Sequence, residues 1–463
     1  MPQTPPHRIR HAVQRLFRDY GMLGVLVLLC VFFSIVTMSD QDPKGDDAAA
    51  SLMQQLQETG TPVSGVLVIG RATTDDSLFI QALRQRIAVA GGQIIGVISG
   101  NPASIRTALM AIPDSSRNIS VIATPRALRP VIDAARSASP TLASASVATP
   151  PTERWPTFLL ADNLRNIANQ ISVIAIIAIG MTMVIIAGGI DLSVGSLIAL
   201  SAVIAAWFIG IWGGVAASTG TLWVSCILAV AACGLVGAFS GWMITSFRIP
   251  PFIATLAMMQ VAAGLAYIIS QGKPIYQIPD AFVWLGRGAE PLLRIPNAVI
   301  LMVALYAIAH AVMTRTTLGR YIYAVGGSSE AARLAGIRVR VVQFVVYTVC
   351  GTLAGLGGVL MASQLKSGAP TYGLAYELHV IAAVVVGGTS LSGGEGRIFG
   401  TLIGALVIGV IQNGMNLTNV ESYTQKVVLG LVILAAVLLD QLKHRGVGLH
   451  RWFSVQPSTS EKS

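Results

Sequence analysis

Charged residues are scarce in this sequence. Only 11% of its 463 residues are charged, whereas 53% are hydrophobic. Soluble domains usually carry about 25% charged residues, so the composition argues against a soluble enzyme and favours a protein that lies in a lipid bilayer. The formal net charge of +10 does not indicate nucleic-acid binding, because no basic face with interleaved aromatic residues accompanies it.

Residue sets that carry chemistry are also lacking. The four cysteines lie inside apolar runs without metal-ligand or disulfide spacing, which indicates small buried hydrophobic residues. They are Cys30, Cys226, Cys233 and Cys350. No Ser-His-Asp set emerges, and no P-loop exists because the only Gly-Lys pair, Gly272-Lys273, precedes Pro274. We therefore expect no catalytic residue, no metal and no cofactor, with any ATP hydrolysis in a separate chain.

Long apolar runs are what the sequence has instead. Crossing the hydrocarbon takes about 20 residues of helix, and ten runs approach that length. They are Gly21–Met38, Leu164–Ile186, Leu192–Ile209, Leu222–Ser246, Phe252–Ser270, Ala298–Met313, Val341–Ala362, His379–Leu391, Ile398–Met415 and Val427–Leu439. They predict an all-α polytopic membrane protein with about ten transmembrane helices and a small periplasmic α/β insert.

The positions of Lys and Arg predict the orientation. Short loops rich in these residues stay in the cytoplasm. Arg8, Arg10, Arg15 and Arg18 precede the first run, Arg315, Arg320, Arg333, Arg338 and Arg340 separate the sixth from the seventh, and Lys443, Arg445 and Arg451 follow the last. Both termini are therefore predicted in the cytoplasm of a bacterium, with the chain in the inner membrane. We interpret the first run as an uncleaved anchor rather than a cleavable signal, since no cleavage site follows it immediately.

A polar stretch, residues 39–156, separates the first run from the second. Alternating strand and helix patterns there indicate βαβ units on a small parallel sheet. The predicted strands are Val63–Gly70, Gln93–Ser99 and Ile119–Thr124, and the predicted helices are Asp75–Ala90, Pro102–Ile112 and Arg129–Ala138. The Ser-, Ala-, Thr- and Pro-rich segment Pro140–Pro156 predicts a flexible tether. The chain thus divides into residues 1–38 (cytoplasmic start and first span), 39–156 (insert and linker), 157–442 (transmembrane domain) and 443–463 (cytoplasmic tail).

The insert resembles the start of a lobe of a periplasmic sugar-binding protein. The resemblance lies in the run 75–79, the pair Gly91-Gly92 and the turn Gly100-Asn101-Pro102. A half-lobe lacks the opposing wall that normally encloses a sugar. We therefore favour a small α/β decoration of the membrane portion over a ligand-binding domain.

One apolar run is interrupted by glycines and an acid. Gly188 and Gly189 predict a break in the helix whose freed backbone groups Ser193 and Ser196 satisfy. A carboxylate at this depth, Asp191, is costly and is tolerated when it faces a bundle interior or a water-filled path. Two interpretations stay open: Asp191 caps the next helix, or Asp191 and Ser193 line a pathway.

A second motif lies in the predicted cytoplasmic loop. Ser329 as a cap and Gly336 as a terminator predict a short helix that contains Glu330, Ala331 and Ala332. Such a helix can enter a groove of a partner and move with it. A solvated loop is the alternative.

A third motif lies at the entrance to the eighth run. Tyr376 and Glu377 can hydrogen-bond the hydroxyl groups of a polar solute, or they can be an interfacial anchor and a solvated acid. His379 can titrate, but a lone histidine is more often a structural hydrogen-bonding residue.

Together these motifs resemble the ribose-type permease family of ABC importers. The resemblance runs from about Asn163 to Leu439 and rests on the strings 188–196, 330–336 and 376–397. It implies a sugar importer with two permease copies or paralogues, cytoplasmic ATP-binding subunits and a periplasmic solute-binding protein, in which residues 330–332 contact the ATPase. The chain departs from the family at His379, where an Asp is common, and in its long insert. A membrane-anchored solute sensor and a branched-chain amino acid permease are the alternatives.

Overall fold

The computed structural model describes the backbone of residues 6–112 and 119–444. It describes the side chains of residues 21–438 within those ranges, apart from Thr141. The predicted cytoplasmic tail from residue 445 and the basic side chains near both ends lie outside this description. The chain forms two compact units: Met38–Thr157, here called the insert, and Met1–Thr37 together with Phe158–Ser463, here called the membrane unit.

Helix α1 (Pro6–Val36) precedes the insert. The insert contains, in chain order, β1 (Met38–Gln41), α2 (Gly45–Glu58), β2 (Ser64–Arg71), α3 (Thr74–Val89), β3 (Gln93–Gly100), α4 (Pro102–Met110), β4 (Val121–Ala123), α5 (Arg129–Ala138), α6 (Pro140–Ala143), β5 (Ser146–Ala148) and β6 (Glu153–Pro156).

The insert is an α/β layer structure around one parallel sheet, as the sequence predicts. Strand β2 pairs in parallel with β3 and β4, and β4 pairs in parallel with β5, giving the order β3-β2-β4-β5. Side chains of β2 alternate between the faces. Val66 and Val68 pack with residues of α2 and α3, whereas Leu67 and Ile69 pack with residues of α4 and α5. The insert therefore has an apolar core on each face.

The predicted flexible tether, Pro140–Pro156, is wrong. It contains α6, β5 and β6, and β6 pairs antiparallel with β1 from Met38↔Pro156 to Gln41↔Glu153. Pairing satisfies the backbone groups of these short strands, and a composition rich in small residues does not reveal such long-range pairing. The sequence pattern also missed β1 and α2.

The membrane unit is entirely helical in the part that the structure describes, apart from short connections. Its elements are α7 (Ala161–Ile186), α8 (Val194–Ile211), α9 (Thr219–Phe247), α10 (Pro251–Ser270), α11 (Trp284–Arg287), α12 (Asn297–Arg315), α13 (Thr317–Gly327), α14 (Ser329–Leu334), α15 (Val339–Leu365), α16 (Tyr376–Val386), α17 (Ile398–Leu417) and α18 (Ser422–His444).

Seven of these helices are long and apolar enough to cross a membrane: α7, α8, α9, α10, α12, α15 and α17. Three shorter apolar stretches, Gly21–Val36, Tyr376–Val386 and Ser422–Leu438, correspond to the remaining predicted runs. The protein is thus a polytopic, mainly helical membrane protein. In the eighth predicted run the helix α16 is shorter than a full crossing, because its 11 residues extend about 16 Å against a hydrocarbon thickness of about 30 Å.

Small residues let the central helices approach closely. A Cβ at Gly180 of α7 would lie 2.7 Å from the Cα of Cys350 in α15, and a Cβ at Gly358 would overlap the Ile198 carbonyl of α8. Such contacts are the usual packing mode between membrane helices. Asn163 of α7 and Asn413 of α17 exchange two amide hydrogen bonds, at 3.1 and 2.8 Å.

Candidate functional site

The chain breaks after α7 in a Schellman turn. Gly188 has φ +81°, and its N–H donates to the Ile185 carbonyl at 2.9 Å, while the Gly189 N–H donates to the Val184 carbonyl at 2.9 Å. The last carbonyls of α7 are therefore satisfied by glycine amides. Ser193 does not satisfy them as expected, since its hydroxyl donates to Asp191 instead.

Asp191 is fully buried in the connection between α7 and α8. Its Oδ1 accepts the Ser193 N–H at 2.9 Å and the Ser193 Oγ–H at 2.6 Å. These bonds fix the turn before α8, which begins at Val194, and Ser193 itself makes no side-chain capping bond. An Asp side chain that accepts the N–H two residues on is a capping contact, so the geometry agrees with the capping interpretation and leaves the pathway interpretation open. Among the described residues, Oδ2 hydrogen-bonds to no nitrogen or oxygen donor. The carboxylate therefore has a nitrogen or oxygen donor on one oxygen only.

Two side chains of α15 complete the surroundings of Asp191. The Cys350 thiol interacts with the carboxylate. The Tyr347 hydroxyl is buried beside the Ile190 backbone and the Asp191 carboxylate, and it packs so closely on Gly189 that a Cβ there would overlap it. We call Asp191, Ser193, Tyr347 and Cys350 the break cluster. Incompletely satisfied buried polar atoms are costly and mark candidate functional sites.

The third predicted motif lies against the start of α8. The irregular segment 366–375 runs back along α8: Gly368 packs on Ala202, and Gly373 packs on Gly195, about two turns nearer its N-terminus. Helix α16 begins there, and a Cβ at Gly195 would overlap Glu377 Oε2.

An irregular segment, 366–375, is thus followed by the short helix α16, and interrupted helices of this kind line substrate sites in many transporters. Tyr376 and His379 lie on the first turn of α16 with ring centroids 5.8 Å apart. The Nδ1 of His379 is buried and without a hydrogen-bond partner among the described residues.

The predicted cytoplasmic helix is α14. Its cap is Ser328, whose Oγ accepts the Ala331 N–H at 3.2 Å, so the prediction of Ser329 as the cap is corrected by one residue. Gly336 follows the helix with φ +84°, as predicted. Ser329, Glu330, Ala331, Arg333 and Gly336 are exposed and Ala332 is buried. Leu334 is 82% exposed, so α14 presents an apolar side chain together with charged ones.

Two glycine turns and the last turn of α13 meet at the end of α7. The Gly394 N–H donates to the Ile186 carbonyl at 2.9 Å. A Cβ at Gly326 would lie 2.6 Å from the Gly394 nitrogen, and a Cβ at Gly393 would lie 3.2 Å from the Gly188 Cα. We call this contact among Gly188, Gly326, Gly393 and Gly394 the glycine joint. It connects the end of α13, two residues before α14, with the break that leads to Asp191.

The structure therefore brings together two of the three predicted motifs directly, through Gly195 and Glu377, and joins the third to them through Gly326. Tyr347 and Cys350 were missed as site residues. Both lie inside an apolar run, and the only local signal was a tyrosine at a membrane-buried position.

Comparisons with known proteins agree with these motifs. A family model described as the branched-chain amino acid transport system / permease component matches residues 163–437. The ribose import permease protein RbsC of Escherichia coli strain K12 is 45% identical over 296 residues, which cover 62% of this chain and 88% of that protein. The chain belongs to the ribose-type permease family of ABC importers. RbsC of Bacillus subtilis strain 168 is 44% identical over 290 residues, covering 62% and 87%.

The L-arabinose transport system permease protein AraH of Escherichia coli strain K12 is 38% identical to this permease over 290 residues, covering 63% and 86% of the two chains. No solved structure matches the chain. Permease subunits of ABC importers are not enzymes, because ATP hydrolysis occurs in a separate subunit, and they work with an ATP-binding subunit and a solute-binding protein. Residues 1–162, the insert included, lie outside the matched family model.

Proposed function

We propose that this permease imports a neutral sugar. The observation that carries the proposal is its 38–45% identity to proteins named as ribose and L-arabinose permeases. The family description names branched-chain amino acids instead, so leucine is the competing substrate. None of the relatives reported above is named as a sensor.

Uptake measurements test the substrate. The permease is produced with its ATP-binding subunit and solute-binding protein in cells that lack their own ribose and arabinose importers, and accumulation of labelled ribose, arabinose and leucine is compared. Saturable, ATP-dependent uptake of a sugar supports the proposal. Uptake of leucine alone, or signalling without any uptake, would overturn it.

We infer that the chain crosses the bacterial inner membrane ten times with both termini in the cytoplasm. Seven long helices and three shorter apolar stretches support the count, and the arginines between α12 and α15 support the orientation. On this topology, residues 1–38 and 157–442 form the membrane domain, residues 39–156 face the periplasm and residues 443–463 are cytoplasmic. Cysteines introduced at Leu292 and Leu334 test it: a membrane-impermeant maleimide added to intact spheroplasts labels only the first, and labelling of the second alone would reverse the orientation.

We propose that α14 docks into the ATP-binding subunit. Its exposed Leu334, Ala331 and Glu330 offer an apolar and a charged contact on a short helix, the mode by which helices enter partner grooves. In a pull-down, Ala331→Asp and Leu334→Asp lose the ATP-binding subunit. The control variant Leu292→Asp should keep the ATP-binding subunit, because Leu292 is 84% exposed and precedes the first residue of α12, whereas α14 follows its last residue. Equal recovery in all three variants would remove α14 from the interface.

We propose that the break cluster and the first turn of α16 border the translocation route of a permease dimer. Gly188, Gly189, Asp191 and Ser193 form the hinge of this route in our proposal, and Tyr376, Glu377 and His379 form its wall. The buried carboxylate of Asp191, whose Oδ2 has no nitrogen or oxygen donor among the described residues, and the irregular segment 366–375 beside it support this assignment. Motion of α14 reaches the hinge through the glycine joint.

A further inference from the structure

The insert contains a cavity at the point where the chain stops adding strands on one side of β2 and begins to add them on the other side. From β2 the chain passes through α3 to β3 on one side, then through α4 to β4 on the other side of β2. In open α/β sheets such a switch point leaves a crevice beyond the carboxyl ends of the two strands, and ligands bind there. A cavity of about 380 Å³ occupies this position, within the usual range of small-molecule sites.

Four segments converge on this cavity. Arg71 ends β2, Thr73 caps α3, Arg126 follows β4, and Lys44 directly precedes α2. The Thr73 hydroxyl accepts the Asp76 N–H at 3.3 Å, which fixes the first turn of α3. The segments come from parts of the insert up to 82 residues apart in the chain, from Lys44 to Arg126, and the sheet holds their ends together.

The charges around the cavity form balanced pairs. Arg71 Nε lies 2.9 Å from Asp76 Oδ2, Arg126 Nε lies 3.3 Å from Asp42 Oδ1, and Lys44 Nζ lies 3.7 Å from Asp75 Oδ2. The three cations and three carboxylates cancel. An anion would have to separate these pairs, whereas a neutral solute can accept from the cations and donate to the carboxylates.

The pair Arg71–Asp76 is held in place by burial and by several hydrogen bonds. The Asp76 side chain is 5% exposed and that of Arg71 is 42% exposed. Asp76 accepts from Arg71 N, Nε and Nη2 at 2.7, 2.9 and 3.1 Å. This fork leaves Nη1 to donate elsewhere, and the buried carboxylate holds the guanidinium in one orientation at the cavity.

The remaining lining is apolar and supplies the second half of the recognition. Phe79 and Ala48 form buried parts of it, and Pro125 and Pro150 add rigid edges. A sugar ring carries hydroxyl groups at its rim and C–H groups on its faces, so it matches a cavity lined by both charged pairs and apolar groups.

Residues 42–45 and 125–127 of the insert itself help to wall the cavity, so the missing second lobe does not exclude a ligand, contrary to the expectation from the sequence. We propose that the insert binds a neutral monosaccharide in this cavity. The binding reaction needs neither ATP hydrolysis nor transport, so its failure would leave the proposed transport function untouched.

Calorimetric titration of the full chain in lipid nanodiscs tests the proposal. The probes are D-ribose, L-arabinose, D-xylose, D-glucose and D-galactose up to millimolar concentrations, with inorganic phosphate and leucine as competing chemistries. We expect at least one of these sugars to bind saturably to the wild-type protein. Arg126→Gln and Asp75→Asn, both at half-exposed positions, raise its dissociation constant about tenfold, the change expected when one charge-assisted hydrogen bond is lost.

Arg129→Gln is the matched control. Its guanidinium is also about half exposed and also pairs with a carboxylate, Asp133, but it does not line the cavity, so the dissociation constant stays unchanged. Three results would each overturn the proposal: no sugar in the panel binds, binding is indifferent to Arg126→Gln and Asp75→Asn, or the cavity variants abolish binding of phosphate or leucine instead.

Discussion

Replacing Gly326 with alanine perturbs the glycine joint at its tightest point. The added Cβ would lie 2.6 Å from the Gly394 nitrogen and 2.8 Å from the Ile186 carbonyl carbon, and closer still to the Ile186 carbonyl oxygen. Carbon contacts become favourable only at about 3.5 Å, so the end of α13 has to move away from the end of α7 and from the turn at Gly394. We expect overpacking to cost about 1–3 kcal/mol, and loss of the hydrogen bond from the Gly394 N–H to the Ile186 carbonyl to add about 1 kcal/mol.

Two assays read this perturbation. Thermal unfolding of the purified permease in detergent should shift to lower temperature. Sugar uptake by the assembled importer should fall by more than the loss of folded protein explains, because the joint lies between α14 and the break at Gly188. The matched control is Gly327→Ala, since a Cβ at this neighbouring helical glycine meets no atom within 4 Å.

The comparison between the two glycines is decisive. Equal melting temperatures and equal uptake for Gly326→Ala and Gly327→Ala would refute the packing of the joint. A lower melting temperature for Gly326→Ala with uptake per folded molecule unchanged would keep the packing but refute its part in coupling.

Three further predictions concern other contacts. Burial alone raises the pKa of Asp76, but its hydrogen bonds with Arg71 outweigh burial and hold the pKa below the ordinary value. The insert, residues 38–157 produced alone, should therefore keep this stabilisation above about pH 4 and lose it as the pH falls further. In thermal melts followed by circular dichroism, the Asp76→Asn insert should unfold at a lower temperature than wild type at neutral pH and should not show the loss of stability in acid. Asn413→Ala should lower the stability of the membrane unit by about 1 kcal/mol. The double variant with Asn163→Ala should lose less stability than the sum of the two single variants. Additive shifts in melting temperature would contradict the reciprocal amide pair. Tyr347→Phe removes a buried hydroxyl that lies beside the Ile190 backbone and the Asp191 carboxylate. We expect stability to fall by no more than about 1 kcal/mol and uptake per folded molecule to slow; unchanged uptake would remove Tyr347 from the mechanism.

The sequence predicted those features that depend on local physics. Unpaired backbone groups are expensive in lipid, so apolar runs had to be helices, and the bounds of α7, α9, α10 and α15 follow the runs within a few residues. The break at Gly188 and the stop at Gly336 were also predictable, because a left-handed residue after a helix strongly favours glycine. The repeating strand and helix pattern of the insert predicted its parallel sheet for the same kind of reason.

Only the tertiary structure decided which distant residues meet. Tyr347 and Cys350 join Asp191 because α15 packs on α7. Gly326, in the last turn of α13, meets Ile186, which lies more than a hundred residues away in the chain. The tether was mispredicted because strand pairing between β6 and β1 is a long-range contact that small residues do not announce. The cavity of the insert likewise depends on the strand order, since β3 and β4 lie on opposite sides of β2. Hydropathy and turn chemistry act within a few residues, so the sequence determined the helices and their ends. Packing and strand pairing act across the whole chain, so only the tertiary structure decided which distant residues meet.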